Sequence, residues 1–342
     1  MERIKKNRLV QKICSLMERI GSSRFGRFMK YLWAEHSIII VFVIIFSICI
    51  ILAPPRFFTF NNMMTILRNA SIIGVIALGI TLVIITGGID LSAGHVVAVS
   101  GSILILLQGR GDVPLIVAIL ACFAVATFVG FVNGFIVTKF KVPPFIVTLA
   151  IGTIARSLTM FFLQGRTVSG RNVPEFTQIG SGSSYVIPGV LSLPNALIIW
   201  IASAIILGCI LAYTKFGSYI YAVGGNENAA RYSGINVDRI RILAYTITGF
   251  MVGIAALLDM SRMASVSPPT SGLGFEFDAI TAAVVGGAAL SGGKGRIYGT
   301  VLGMILIALV SNLMIMMEMS PFLSGTVKGV IILLAVLLQR KG

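Results

Sequence analysis

Ten apolar runs, separated by short polar connections, are the feature that most constrains the fold of this 342-residue chain. A helix needs about 20 apolar residues to cross the hydrocarbon layer of a bilayer, and roughly 17–25 are tolerated. We therefore predict an all-α, polytopic membrane protein of about ten transmembrane helices, some of them broken by glycine. The predicted spans are residues 37–53, 66–86, 92–108, 114–137, 145–163, 194–214, 242–260, 278–290, 299–317 and 322–339. The eighth is short enough to be a half-helix.

The composition excludes a soluble globular protein. Hydrophobic residues make up 56% of the chain and charged residues only 11%, whereas a soluble domain carries about 25% charged residues. Most side chains must therefore face lipid or one another.

The net charge of +15 is distributed as expected for cytoplasmic loops of a membrane protein. Residues 1–36 hold nine Lys and Arg against Glu2, Glu18 and Glu35, and 19 of the 27 basic residues fall on the predicted cytoplasmic side. Cytoplasmic loops are enriched in Lys and Arg, so we predict a multi-pass protein of the cytoplasmic (inner) membrane with both termini in the cytoplasm. Membrane lipids, rather than nucleic acid, are the predicted partner of the basic residues.

The chain divides into a basic cytoplasmic N-terminal arm, 1–36, and a transmembrane domain, 37–342. Two connections within that domain are longer than a turn requires: an outer loop, 164–193, rich in Gly, Ser and Pro, and an inner loop, 215–241. Long ordered loops often carry function, so the inner loop is the favoured place for a partner to bind.

The run Gly87-Gly88-Ile89-Asp90-Leu91-Ser92-Ala93-Gly94 breaks apolar sequence with glycines and a carboxylate. Backbone groups freed at membrane depth must be buried in protein or line water. The favoured interpretation is that Asp90 caps a helix that starts near Leu91. The alternative places Asp90 and Ser92 beside a hydrated path, because ionisable groups in a membrane are costly and often functional; both can hold. Three further polar residues are candidates for the same path: Asn133, Thr148 and Thr153.

The Gly87–Gly94 segment is echoed by Gly286–Gly293, with five of eight positions identical. Each segment lies where an inward-going span meets an outward-going one. Glycine-broken segments at corresponding positions in two halves point to a transport path.

Arg156 places a full charge within the fifth span and must find a carboxylate or a backbone carbonyl. A structural ion pair is favoured over contact with a solute, and the candidate partners are Asp90, Asp259 and Glu318. Asp278 is expected to cap the eighth span. Three Gly-x-x-x-Gly spacings predict closely packed helices, at Gly130 and Gly134, Gly249 and Gly253, and Gly299 and Gly303.

No catalytic, metal-binding or cofactor-binding residues are predicted. The closest approach to a phosphate loop, Gly292-Gly293-Lys294-Gly295, has Gly where such a loop needs Ser or Thr to bind the metal. The two histidines, His36 and His95, show no metal-ligand clustering.

Several ordered motifs together resemble the permease family of ABC importers, in its ribose-type branch for monosaccharides. The resemblance covers nearly the whole chain from about residue 57. The motifs are Gly87–Gly94, Asn133-Gly134, Lys141-Val-Pro-Pro-Phe-Ile-Val-Thr148, Gly224-Gly225-Asn226-Glu227-Asn228-Ala229-Ala230, Ser233-Gly234-Ile235, Asp278-Ala279-Ile280, Gly286-Gly287 and Leu290-Ser291-Gly292-Gly293.

The resemblance implies that the inner loop is a coupling segment that docks on an ATPase. The family core is Glu-Ala-Ala-x-x-x-Gly, and Asn228-Ala229-Ala230-Arg231-Tyr232-Ser233-Gly234 fits it with Asn in place of Glu. Glu227, one position earlier, is a possible substitute. A short helix stopped by Gly234 would present Ala229 and Ala230 to a groove of the partner. The residues assigned to the segment are Gly224, Gly225, Asn226, Glu227, Asn228, Ala229, Ala230, Gly234 and Ile235.

The resemblance also implies the other subunits: an ABC ATPase, a second permease subunit in a homodimer or heterodimer, and an extracytoplasmic solute-binding protein. The expected function is therefore a permease subunit, without its own ATPase site, for a small polar solute such as ribose or a similar sugar. Two alternatives stay open from the residues alone: a secondary transporter driven by ions, for which Asp90 is the candidate ion-binding carboxylate, and a passive channel or scaffold.

Overall fold

The computed structural model describes residues 49–170, 173–187 and 191–320, together with residues 43, 46, 47, 323, 325, 326, 329 and 330. Within this part of the chain the helices are α1 (Phe60–Ile85), α2 (Ala93–Arg110), α3 (Leu115–Lys139), α4 (Pro144–Phe162), α5 (Pro174–Ser181), α6 (Asn195–Tyr213), α7 (Lys215–Gly225), α8 (Glu227–Tyr232), α9 (Val237–Met263), α10 (Phe275–Val285) and α11 (Ile297–Met316).

Seven of these helices are long and apolar enough to cross a membrane: α1, α2, α3, α4, α6, α9 and α11. They match seven of the predicted spans, and most of their ends lie within a few residues of the predicted ones. The first and last predicted spans, 37–53 and 322–339, fall largely outside the described residues. The count of ten spans and the cytoplasmic position of both termini therefore stay predictions.

Helix α1 lies at the centre of the bundle. In its most apolar stretch 83% of the residues are buried, against 22% in α3, so most of the surface of α3 lies on the outside of the bundle. Gly74 of α1 makes room for the indole of Trp200 from α6, which a Cβ at Gly74 would overlap. On another face the hydroxyls of Thr81 and Thr300 share a hydrogen bond of 2.7 Å between α1 and α11.

Glycines bring α3 and α9 into backbone contact. A Cβ on Gly130 would overlap the Tyr245 carbonyl, and one on Gly249 would overlap the Ala126 carbonyl. Gly299 of α11 is placed in the same way against the Gly286 carbonyl at the end of α10. The prediction that the Gly-x-x-x-Gly spacings pack helices closely is confirmed at these contacts.

Helix α9 starts at Val237, five residues before the predicted span 242–260. Asn236 caps the helix, since its side-chain oxygen accepts a 3.0 Å hydrogen bond from the Arg239 amide. Hydropathy located the span, whereas the capping residue extends the helix beyond the apolar run at its N-terminal end.

Helix α10 has 11 residues and corresponds to the short eighth span. Its N-cap is Gly274, with φ +80°, and Asp278 lies within the first turn, so the prediction that Asp278 caps this helix is wrong. Gly286 and Gly287 end the helix earlier than the predicted 290, because Gly287 has φ +90°.

The outer loop 164–193 contains elements that the sequence did not predict. They are helix α5 and the strands β1 (Val168–Ser169), β2 (Ser183–Ile187) and β3 (Leu191–Pro194). β1 pairs antiparallel with β4 (Ser265–Val266), and β2 pairs antiparallel with β3. The pairing of β1 with β4 ties the loop to the C-terminal end of α9.

Candidate coupling segment and translocation path

The coupling segment, residues 224–235, is built from the end of α7 and the short helix α8. Asn226 caps α8 by accepting a 3.0 Å hydrogen bond from the Ala229 amide. The helix ends where Gly234 adopts φ +81°, and the Ile235 amide donates to the Ala230 carbonyl at 3.0 Å. The short helix stopped by Gly234 is therefore present as predicted.

The two alanines of the segment face opposite ways. Ala229 and Asn228 are exposed, whereas Ala230 is 4% exposed and belongs to the core. The expectation that both alanines are presented to a partner is corrected: Ala230 packs α8 onto its own chain and Ala229 is available for contact.

Glu227 is held by basic residues of the same chain. Its carboxylate lies 3.0 Å from Arg231 and 2.8 Å from Arg241, and Arg231 also contacts Asp238 at 2.8 Å. Partial burial raises the pKa of Glu227, but hydrogen bonds and charge from Arg231 and Arg241 outweigh that effect and lower the pKa below its usual value. The carboxylate therefore fixes α8 against α9.

Tyr232 was not singled out from the sequence, yet its side chain is 93% exposed at the end of α8. Buried aromatic anchors are frequent in protein interfaces. The sequence signal that could have identified Tyr232 was its position within the motif, three residues after Ala229.

A glycine junction joins the coupling segment to the membrane helices. A Cβ on Gly224 would overlap the Ile85 carbonyl at the end of α1 and lie 2.5 Å from the Gly293 amide. That amide donates a 2.8 Å hydrogen bond to the same Ile85 carbonyl, and a Cβ on Gly292 would lie 2.8 Å from the Gly224 carbonyl. Three chain segments thus meet with no side chain between them.

The two echoed segments have the same local conformation. Gly87 has φ +80° and Gly287 has φ +90°. In each turn the glycine amide donates to a carbonyl three residues back, and the next amide donates to one five residues back, all at 2.9 Å. The similarity noted in the sequence therefore corresponds to two equivalent helix ends. The first helix end joins the glycine junction through Ile85, whereas the second segment joins it through Gly292 and Gly293, beyond its own helix end.

Three of the predicted path residues form one buried chain of hydrogen bonds. Asn133 donates to the Ser92 hydroxyl at 2.8 Å, and that hydroxyl donates to Asp90 at 2.6 Å. Asp90 also accepts from the Ser92 amide at 2.8 Å. Helix α2 begins at Ala93 with Ser92 as its N-cap and has no side-chain capping bond, so the prediction that Asp90 caps this helix is wrong. Asp90 instead orders the turn before the helix through its two bonds from Ser92.

Thr148 joins the same region, but Thr153 does not. The Thr148 hydroxyl and the Tyr245 hydroxyl both lie within hydrogen-bonding distance of the Ile89 carbonyl, at 3.4 and 3.1 Å. Thr153 is exposed on α4 and donates to the Leu149 carbonyl at 2.9 Å. Of the five predicted path residues the structure thus brings four together.

Arg156 binds backbone carbonyls. Its Nη1 donates to the Pro268 carbonyl at 2.6 Å and to the Ser271 carbonyl at 2.9 Å. In the described part of the chain Arg156 makes no ion pair within 4.0 Å, so the predicted pairing with Asp90, Asp259 or Glu318 is wrong. The acid whose charge acts on Arg156 is Glu276, the second residue of α10. The sequence did not indicate this partner because the two residues are far apart in the chain.

Metal ligands are not clustered in the described residues, where no group of three His, Cys, Asp or Glu side chains could hold an ion.

Comparison with known proteins gives the family. Residues 62–336 match the family described as branched-chain amino acid transport system / permease component. The chain is similar to the ribose import permease protein RbsC of Escherichia coli K12, at 37% identity over 92% of this chain and 96% of the relative. It is also similar to RbsC of Bacillus subtilis, at 38% identity over 88% and 91%. The L-arabinose transport system permease protein AraH of E. coli K12 is 34% identical over 94% and 93%.

The match spans most of this chain and most of each relative, and the structure supplies seven membrane-competent helices. Both findings identify a multi-pass protein of the inner membrane. The chain belongs to the family of transport-system permease components.

Proposed function

We propose that this chain is the membrane-spanning permease subunit of an ATP-binding-cassette importer for a monosaccharide. It works with a second permease subunit, a separate ATPase and an extracytoplasmic solute-binding protein. The coupling segment, 224–235, is the ATPase docking site, and Asp90, Ser92, Asn133 and Thr148 lie beside the translocation path.

The glycine junction is the observation that carries this proposal. Gly224 touches the end of α1 at Ile85 and the turn at Gly292 and Gly293. A displacement of the coupling segment must therefore displace the end of α1 and the turn between α10 and α11, because closely packed backbones cannot absorb the movement between them. The chain runs from the end of α1 directly to Asp90, and the turn at Gly292 and Gly293 follows α10.

Energy has to come from a partner. The sequence contains no phosphate loop that would bind a nucleotide, and import against a gradient requires free energy. An ATPase that binds the coupling segment differently before and after hydrolysis would shift the populations of inward- and outward-open states.

A monosaccharide is the proposed solute because the relatives are named for ribose and L-arabinose. The comparisons with known proteins give no support to the alternative of an ion-driven transporter. Asp90, its candidate ion-binding carboxylate, already accepts two hydrogen bonds from Ser92.

The docking proposal is tested with Ala229→Arg. Ala229 is exposed on α8, so arginine there leaves the chain's own packing intact and obstructs the partner surface. We expect the ATPase to be lost from the purified complex and ATP-driven uptake to fall at least about tenfold, as when an interface centre is disrupted.

The matched control is Ser218→Arg, which adds the same side chain at an exposed position of α7 outside the coupling segment. It should assemble and transport as the unaltered protein does. Normal assembly and uptake in Ala229→Arg would exclude the coupling segment as the docking site.

A further inference from the structure

Three polar side chains from separate helices lie in one region of the bundle interior, where α2 packs against α4 and α10. They are His95 of α2, Arg156 of α4 and Glu276 of α10. The Glu276 carboxylate lies so close that a Cβ on Gly94 would overlap its Oε2, and a Cβ on Gly152 of α4 would lie 2.9 Å from His95 Nδ1. The three residues stand outside the hydrogen-bonded chain of Asp90, Ser92 and Asn133.

Each of the three side chains keeps a polar atom that is buried and unused. Arg156 Nη2, Glu276 Oε2 and His95 Nδ1 have no well-formed hydrogen bond to any described residue, although the His95 ring lies in range of the Leu91 carbonyl. Glu276 is 3% exposed. Buried polar atoms in native proteins are nearly always satisfied, so each exception calls for a missing partner.

The cluster lies near the middle of the membrane. Arg156 is 12 residues into α4, which at about 1.5 Å per residue is about 18 Å from the cytoplasmic end of that helix. Glu276 is nine residues from the cytoplasmic end of α10, or about 14 Å. A hydrocarbon layer is about 30 Å thick, so both groups are close to its centre.

The backbone that precedes α10, next to the cluster, is not helical at this depth. Helix α10 begins only at Phe275, and the preceding carbonyls of Pro268 and Ser271 bind Arg156. Irregular backbone inside a membrane must be covered by protein or line a hydrated space. In transporters, solute sites form at the midplane where helices are discontinuous.

We propose that His95, Arg156 and Glu276 form a midplane contact site for the hydroxyl groups of a neutral sugar during translocation. The proposal rests on the proposed function and adds residues outside the predicted path. Arg156 Nη2 offers a donor, Glu276 Oε2 an acceptor, and His95 Nδ1 either one, according to its tautomer. A hydroxyl group both donates and accepts, and the opposite charges of Arg156 and Glu276 make the site suited to a neutral solute.

The test uses the complete importer in vesicles, with D-ribose, L-arabinose, D-xylose and D-glucose as radiolabelled probes. Glu276→Gln keeps the size of the side chain and removes its charge; Arg156→Gln removes the donor cation. We expect each variant to import about tenfold fewer sugar molecules per ATP hydrolysed, since a charged hydrogen bond to the solute is lost. The 2-deoxy, 3-deoxy and 4-deoxy analogues of the transported sugar identify the hydroxyl that the site contacts. The analogue that lacks this hydroxyl should be transported equally slowly by the unaltered protein and by the variants.

The control is Glu175→Gln, the same change at an exposed position of α5. It should leave the number of sugar molecules imported per ATP hydrolysed unchanged. The proposal is overturned if both variants import the normal number of sugars per ATP. It is also overturned if they slow every sugar and every deoxy analogue by the same factor while the unfolding temperature of the complex falls, which is the signature of a purely structural pair. Absence of ATP-driven uptake of all four sugars by the unaltered importer would instead refute the proposed function.

Discussion

At the scale of single residues, Glu227 shows how a departure from the family motif is accommodated. Its carboxylate contacts Arg231 and Arg241 within its own chain. Glu227 therefore holds α8 in place against α9. The exposed Asn228 stands where the motif has Glu. We therefore propose that Asn228 makes the polar contact with the ATPase at that point.

Replacing Glu227 by Gln should loosen α8. The pKa of Glu227 is lowered in the folded chain, so its contribution is fully present above the ordinary value of 4.5 and is lost as the pH falls through the lowered pKa. We expect the amides of α8 to exchange hydrogen about two- to fivefold faster in the variant at pH 7, consistent with a partly exposed ion pair. The difference should vanish below the lowered pKa. Equal exchange rates at pH 7 would show that the pair does not order the helix.

Gly224 and Gly225 form a matched pair for testing the glycine junction. Alanine at Gly224 would overlap the Ile85 carbonyl, whereas alanine at Gly225 meets nothing within 4 Å. Overpacking of this kind costs about 1–3 kcal/mol. We expect Gly224→Ala to lower the unfolding temperature and to reduce uptake per ATP, and Gly225→Ala to do neither. If the two variants behave alike, the junction does not transmit movement.

At the scale of helices, glycine contacts determine how α3 and α9 approach each other. Gly130→Ala would place a methyl group against the Tyr245 carbonyl and should destabilise the protein by about 1–3 kcal/mol. Gly208 of α6 has no atom within 4 Å of its missing Cβ, so Gly208→Ala should be neutral or stabilising through its higher helix propensity. Thermal unfolding in detergent measures both, and equal stabilities would contradict the packing described here.

Hydropathy predicted the long helices because lipid imposes a length on an apolar helix. The ends of the helices depended on local residues that hydropathy averages out: Asn236 extends α9, while Gly274 and Gly287 set both ends of α10. The strand pairs of the outer loop were missed because pairing β1 with β4 depends on tertiary proximity.

The site was predictable to the extent that its residues lie in one contiguous segment. The coupling helix and its stop at Gly234 followed from the motif. The contacts of Arg156 did not, because they join it to carbonyls 112 and 115 positions away and the sequence pattern says nothing about which helices are neighbours. The burial of Ala230 was missed for the same reason.

At the scale of the whole molecule, we infer two functional regions. The membrane bundle forms half of the translocation path, and the ATPase acts on the coupling segment at the cytoplasmic face of the bundle. The glycine junction connects the two regions. On this account the chain cannot concentrate solute alone.

The most direct test measures accumulation of radiolabelled D-ribose, L-arabinose, D-xylose and D-glucose in vesicles that contain this chain, with and without its ATPase, binding protein and ATP. The account predicts that at least one of the sugars is accumulated above its equilibrium level when all components are present, and that accumulation stops when the ATPase or ATP is omitted. Accumulation by vesicles containing this chain alone, or driven by an ion gradient without ATP, would contradict it.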